Sequence, residues 1–144
     1  MIAIASDHAG IALKAEIQRV LEGLGAEVED LGPADTASVD YPDYAHLLSR
    51  AVSDGRIERG VLICGSGIGM SMAANRHPGV RAALCHDAYT AEMARRHNDA
   101  NVLCIGERTT GLGVAAQIVR VFFETPFEGG RHQRRVAKIE LEEQ

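Results

Sequence analysis

The segment Cys64-Gly65-Ser66-Gly67-Ile68-Gly69 sets a thiol, a hydroxyl and three glycines where the apolar run Val61-Leu62-Ile63 gives way to a helical pattern. A glycine-rich turn between strand and helix lets the backbone come close to a ligand, and the first helical N–H groups favour negative charge. A thiol in that position has its anion favoured, which makes Cys64 a candidate base or nucleophile. A buried cysteine in a tight turn is the other reading, and spacing alone leaves both standing. The segment is not a dinucleotide fingerprint, because GxGxxG would need glycine at Met70 and would follow the first strand, not the third. It is not a P-loop either, since no Gly-Lys-Ser/Thr follows.

Three further segments carry reactive groups. In Asp7-His8-Ala9-Gly10, Asp7 suits a sugar hydroxyl and His8 suits a phosphate, although Asp7 or Ser6 equally suits a helix cap. His97-Asn98-Asp99 closes a helical stretch, where a histidine also interacts well with the helix dipole. The carboxyl end of that helix lies at the amino edge of a parallel sheet, opposite Cys64, so a site using both residues draws on two subunits. Arg131 and Arg135 stand four apart on one helical face, a spacing that suits two guanidinium forks on one phosphate. A solvated basic face balanced by Glu140, Glu142 and Glu143 is the alternative. His46, His77 and His86 have no partner spacing, and Phe122, Phe123 and Phe127 read as core or subunit interface.

Short apolar runs alternating with helical patterns must position these groups. Strands are expected at Ile2–Ser6, Ala26–Asp30, Gly60–Cys64, Val80–Cys85 and Asn101–Ile105. Runs such as Val61-Leu-Ile-Cys and Val102-Leu-Cys-Ile are continuous, the pattern of strands covered on both faces. Leu13, Ile17, Val20, Leu21 and Leu24 mark one helical stripe. Further helices are expected over Tyr41–Ser53, Gly67–Asn75, Asp87–His97, Thr110–Glu124 and Arg131–Glu143. The order predicts an α/β three-layer αβα sandwich on a five-stranded parallel sheet, Rossmann-like, as a single domain over 1–144. Ligands of such sheets bind beyond the strands' carboxyl ends, where Asp7, His8, Cys64, Ser66 and Arg108 fall.

Composition narrows the partners. The 144 residues carry 46% hydrophobic and 24% charged residues and a formal charge of −5, values of a folded acidic chain. A nucleic-acid binder leans the other way. The cations are 13 Arg and 2 Lys, and Arg131, His132, Arg134, Arg135 and Lys138 cluster within eight residues. No apolar run is long enough to span a membrane, and Met1–Ala5 meets Asp7 too early for a signal peptide. The three cysteines lack metal or disulfide spacing. A reduced, cytoplasmic, soluble protein is expected, with no nucleic acid and no membrane as partner.

Asp7-His8-Ala-Gly, Asp40-Tyr41-Pro42, Cys64-Gly-Ser-Gly-Ile-Gly, Arg96-His97-Asn98-Asp99 and Gly129-Gly-Arg-His-Gln-Arg-Arg-Val, in this order across nearly the whole chain, resemble the ribose-5-phosphate isomerase B family. The resemblance implies interconversion of ribose 5-phosphate and ribulose 5-phosphate through an enediolate, without metal, nucleotide or other cofactor. It implies Cys64 as the base and Ser66 with the amides of Gly65, Gly67, Ile68 and Gly69 as the oxyanion site. His97 would assist ring opening, Asp7 would hold sugar oxygens, and Asn98 and Tyr41 would bind substrate. His8, Arg108, Arg131 and Arg135 would receive the phosphate. The helix 131–143 would reach a partner subunit in a homodimer, or a dimer of dimers, with shared active sites. One branch of the family has glutamate where this chain has Met70, and Ser66 stands where the cysteine branch often has threonine. An isomerase of another aldose phosphate, a hexose or tetrose phosphate, remains open, as does a non-catalytic sugar-phosphate-binding module. A thiol redox protein lacks a resolving cysteine near Cys64.

Overall fold

The computed structural model describes residues 1–142. Five strands, β1 (Ile2–Ser6), β2 (Val28–Asp30), β3 (Arg59–Cys64), β4 (Ala82–Leu84) and β5 (Val102–Gly106), form one sheet in the order β2-β1-β3-β5-β4. Every pairing is parallel. The helices are α1 (Ile11–Gly23), α2 (Tyr41–Ser53), α3 (Ile68–Ala74), α4 (Ala88–Asn98), α5 (Leu112–Glu124) and α6 (Arg131–Ala137), with a short 3-10 turn over His8–Gly10.

The strand register sorts the apolar runs onto two faces. Ile4, Val61 and Leu103 lie level and, with Ile63 and Ile105, pack against α1, α4 and α5 through Leu13, Ile17, Leu21, Ile118 and Phe122. One residue along, Ala5, Leu62 and Cys104 lie level on the other face, against Leu48 and Val52 of α2 and Met70 and Ala74 of α3. Large side chains face the three-helix layer, and smaller ones (Ala3, Ala5, Cys64) admit α2 and α3 close to the sheet. Each fully buried Leu, Ile or Phe contributes roughly 1.5–3 kcal/mol of apolar burial. The expected three-layer α/β sandwich is therefore present, and no helix among the described residues is long and apolar enough to cross a membrane.

The boundaries differ where edges and caps intervene. The second strand starts at Val28, not Ala26, because N–H groups of Gly25 and Ala26 bond back to Glu22 and Leu21 and extend the α1 turn. Edge strand β4 is three residues long, since Val80 closes a turn onto His77. The final helix ends at Ala137 rather than running to Glu143: Lys138 and Ile139 bond three residues back, and Glu140 accepts from the N–H of Gly79 at 2.8 Å. Glu143 lies outside the described residues. Glu140, expected to balance the basic face, is thus turned to the backbone instead.

Candidate functional site

From β1 the chain passes to β2 on one side and, after α2, to β3 on the other, which opens a crevice at the carboxyl ends of β1 and β3. A cleft of about 530 Å³ lies there. Asp7 after β1, Tyr41 at the start of α2 and Cys64 at the end of β3 line it. The turn residues Gly65, Ser66, Ile68 and Gly69 close one side, and Arg108, beyond β5, closes another. Eight residues expected of the site from the sequence meet in this one place.

Cys64 is 5% exposed, and its Sγ accepts from the N–H of Gly67 at 3.1 Å. That bond depends on glycine. Gly67 has φ 78°, and a Cβ there would stand 2.6 Å from Leu84 Cδ1 and 2.9 Å from the Ile105 carbonyl carbon. Gly69 leaves the space that the Tyr41 ring fills, since its Cβ would stand 2.6 Å from that ring. Ser66 Oγ accepts from the N–H of Ile68 at 3.3 Å. Two of the amides expected to hold an oxyanion are therefore turned to the site's own side chains. The other thiols are unsuited to the role. Burial pushes Cys85 up to about 11 and pushes the wholly buried Cys104 further, so both are protonated at neutral pH.

Asp7 makes the cap that the sequence allowed. Its Oδ1 caps the following turn through the N–H of Ala9 at 2.9 Å, and the residue still lines the cleft. His8 Nδ1 accepts from the N–H of Val39 at 3.1 Å. An acceptor Nδ1 puts the neutral imidazole's proton on Nε2, ready to donate to an anion. The Arg108 guanidinium rests beside Gly65, exposed and in no ion pair among the described residues.

The remaining expected residues stand elsewhere. His97 and Asn98 end α4, which runs from the carboxyl edge of the sheet to its amino edge. The cap is Asp99, with φ 47° and ψ 43°, its carboxylate held by Arg95 at 2.9 Å and Arg81 at 3.5 Å. Arg131 and Arg135 are exposed on α6, which packs on α4. None of the four reaches the cleft of its own chain. Met72 and Thr109 line the cleft and were not singled out from the sequence. Thr109 follows Arg108 beyond a strand end, a position that could have flagged it. His46 and His77, left without roles, pair at 2.7 Å. Among the described residues, His97, Glu128 and His132 bring possible metal-ligating atoms within 4.8 Å of one another.

The chain is similar to known proteins over nearly its whole length. The sequence profile of the family described as Ribose/Galactose Isomerase matches residues 2–139. Ribose-5-phosphate isomerase B of Escherichia coli is 46% identical over 143 residues, 99% of this chain and 96% of that protein. D-erythrulose-4-phosphate isomerase of Pectobacterium atrosepticum is 42% identical over 139 residues, 96% of this chain and 91% of that protein. The solved structure of Clostridium thermocellum ribose-5-phosphate isomerase B superposes with a TM-score of 0.93 at 50% identity, covering 96% of this chain and 93% of that one.

Proposed function

The chain belongs to the ribose/galactose isomerase family, and on that premise we propose that it interconverts ribose 5-phosphate and ribulose 5-phosphate with Cys64 as the base. The observation that carries this reading is Cys64 Sγ opening on the cleft with the N–H of Gly67 3.1 Å away. An N–H aimed at sulfur stabilises a thiolate, the form that accepts a proton. The thiolate takes the C2 proton of the open-chain aldose, the C2–H electron pair becomes the C1–C2 double bond, and O1 takes the negative charge. Return of the proton to C1, with the O2 proton passing to O1, yields the ketose. The Ser66 hydroxyl and the amides of Gly65 and Gly69, which are not bonded to the Cys64 or Ser66 side chain, are assigned to the oxygen on which charge develops. Each preorganised donor there is worth roughly 3 kcal/mol.

The phosphate end and ring opening need groups that this chain carries on its far edge. We therefore include a second copy in the proposal: His97 and Asn98 of one subunit, with Arg131 and Arg135, complete the cleft of the other. His8 and Arg108 join those arginines on the phosphate. The rim supports a covered cleft, since Ile68 is 47% exposed, Met72 68% and Tyr41 41%, an apolar margin that a folded neighbour would bury.

A second reading is turnover of a shorter sugar phosphate, favoured by the likeness to the erythrulose-4-phosphate isomerase. A coupled assay across aldose phosphates, run with EDTA, separates the readings. Ribose 5-phosphate should be the preferred substrate. Cys64→Ala should lower kcat by about a thousandfold or more while leaving the fold and sugar-phosphate binding intact. Activity within tenfold of the parent would remove Cys64 from the role of base, and absence of turnover on every sugar would favour a binding module.

A further inference from the structure

A carboxylate outside the cleft stands between two imidazoles. Glu128 Oε2 lies 3.8 Å from Nε2 of His97, and Glu128 Oε1 lies 3.6 Å from Nε2 of His132. The two rings stack with centroids 4.3 Å apart and planes 14° from parallel. The local chain builds this arrangement. The N–H of Glu128 donates to the Arg96 carbonyl at 3.1 Å, which ties the carboxylate to the residue before His97. Gly129 and Gly130, with φ 69° and 55°, then turn the chain so that α6 lays His132 against the His97 ring. The His132 side chain is 9% exposed and its Nε2 has no hydrogen-bond partner, whereas the His97 side chain is 40% exposed. One imidazole is a buried wall; the other is presented outward.

We propose that Glu128 is the positioning residue of His97. Its carboxylate holds the proton of His97 on Nε2, His132 covers one ring face, and Nδ1 is left with a lone pair for substrate. The proposal rests on the reading of His97 as the ring-opening group. At 3.6 and 3.8 Å the carboxylate is beyond hydrogen-bond range of either nitrogen. A half-exposed glutamate closes such a gap by a small rotation, and contacts of this kind commonly tighten when substrate binds. The three groups are not arranged as a metal cage, because stacked rings set their in-plane lone pairs side by side instead of at one point. In the step served, the anomeric O1–H of the furanose gives its proton to Nδ1. The O1 lone pair forms the carbonyl, the C1–O4 pair goes to O4, and O4 is protonated from solvent, to which the imidazolium returns its proton. Glu128 touches no reacting atom. It sets which nitrogen of His97 is the base.

The test uses two substrates that differ in the need for ring opening. Ribose 5-phosphate closes a furanose; erythrose 4-phosphate, with O4 esterified, cannot. Glu128→Gln should lower kcat/KM for ribose 5-phosphate by about tenfold or more, the low end of a general-base contribution. The same variant should leave erythrose 4-phosphate turnover within about twofold, and Glu128→Asp should recover part of the loss. Nitrogen-15 NMR of the unliganded protein should show His97 as the Nε2–H tautomer, and a mixture of tautomers in Glu128→Gln. Equal losses on both substrates would reveal a merely structural role and overturn the proposal, as would a His97 tautomer that Glu128→Gln leaves unchanged. Should His97→Ala also keep full activity on ribose 5-phosphate, the ring-opening reading itself would fall, an outcome distinct from failure of Glu128 alone.

Discussion

The two edges of the sheet are held together in different ways. At the carboxyl edge the strand ends around the cleft are joined backbone to backbone, Asp7 to Ile63 at 3.1 Å, Glu107 to Cys64 at 2.9 Å and Arg108 to Gly65 at 3.0 Å. Among the described residues, the side chains of Asp7, Cys64 and Ser66 bond only to amides two or three residues on. At the amino edge side chains add bonds that span longer stretches of the chain. Asn75 exchanges two bonds with the backbone of Ala82, at 2.9 and 2.8 Å, and Asn101 holds Arg81 and Gly79, each at 2.8 Å. Arg95, 3% exposed, binds Asp99 at 2.9 Å and the carbonyls of Ala100 and Thr125 at 2.6 and 3.2 Å, so a buried cation is fully paired. The difference teaches a division of labour. Where side chains must be free for a ligand, backbone geometry supplies the shape. Where His97, Arg131 and Arg135 are carried on the surface, polar side chains stitch the platform beneath them.

The sharpest way to break this comparison is to put the two edges on different chains. On the proposed sharing of sites, a homodimer of Cys64→Ala lacks the base in every site, and one of His97→Ala lacks the ring-opening group in every site. Co-expressed, a mixed dimer has one site with both losses and one with neither. With equal chains, half the dimers are mixed and half of their sites are whole, so activity should return to about a quarter of the parent's. No recovery above the two separate variants would mean that one chain's edges do not meet in a shared site.

A second comparison substitutes the same residue at each edge. Gly67 and Gly79 have nearly equal positive φ, 78° and 76°, yet a Cβ at Gly67 meets backbone within 2.9 Å while one at Gly79 meets nothing within 4 Å. Gly67→Ala therefore combines left-handed strain with collision, and should cost about 2 kcal/mol or more together with most of the activity. Gly79→Ala should cost about 1 kcal/mol and leave turnover unchanged. Urea midpoints at constant slope, with kcat beside them, check both. Equal losses would show that the carboxyl-edge turn is not specially tight.

How much of this could be read from the sequence follows the same division. Continuous runs such as Val61–Cys64 announced strands buried on both faces, and they are. The cleft residues fell at strand ends, where the general rule for parallel sheets puts a site, so Asp7, Cys64, Ser66 and Arg108 were found with no knowledge of contacts. Strand order was not readable: β5 lies between β3 and β4 through pairings of Cys64 with Gly106 and Leu84 with Cys104, which no local pattern encodes. Glu128 escaped because a glutamate before two glycines reads as loop polarity. Its position depends on a bond to Arg96, more than thirty residues away. His46 and His77 escaped for the same reason, being neighbours only after α2 packs beside the loop that follows α3.

That pair allows the smallest test, away from the cleft. His46 Nδ1 and His77 Nε2 are 2.7 Å apart, so one must donate and the other accept. Partial burial lowers the pKa of His77 below the ordinary imidazole value of 6.5, and the neighbouring charges of His46 and Arg50 lower it further. The unfolded chain thus takes up a proton before the folded one as pH falls. Since stability rises with pH wherever the unfolded state binds more protons, the contribution is whole above pH 6.5 and is lost as pH falls through the folded value. The parent should show a lower urea midpoint at about pH 5 than at about pH 7.5, and His77→Asn should remove part of that difference. Solvent screening at this exposed loop keeps the effect modest. Turnover at neutral pH should not change, because neither ring lines the cleft or belongs to the groups proposed to complete it. An unaltered pH slope in the variant would show that the short contact between the two rings carries no titrating cost. A fall in turnover would show that the two rings reach into the chemistry of the cleft.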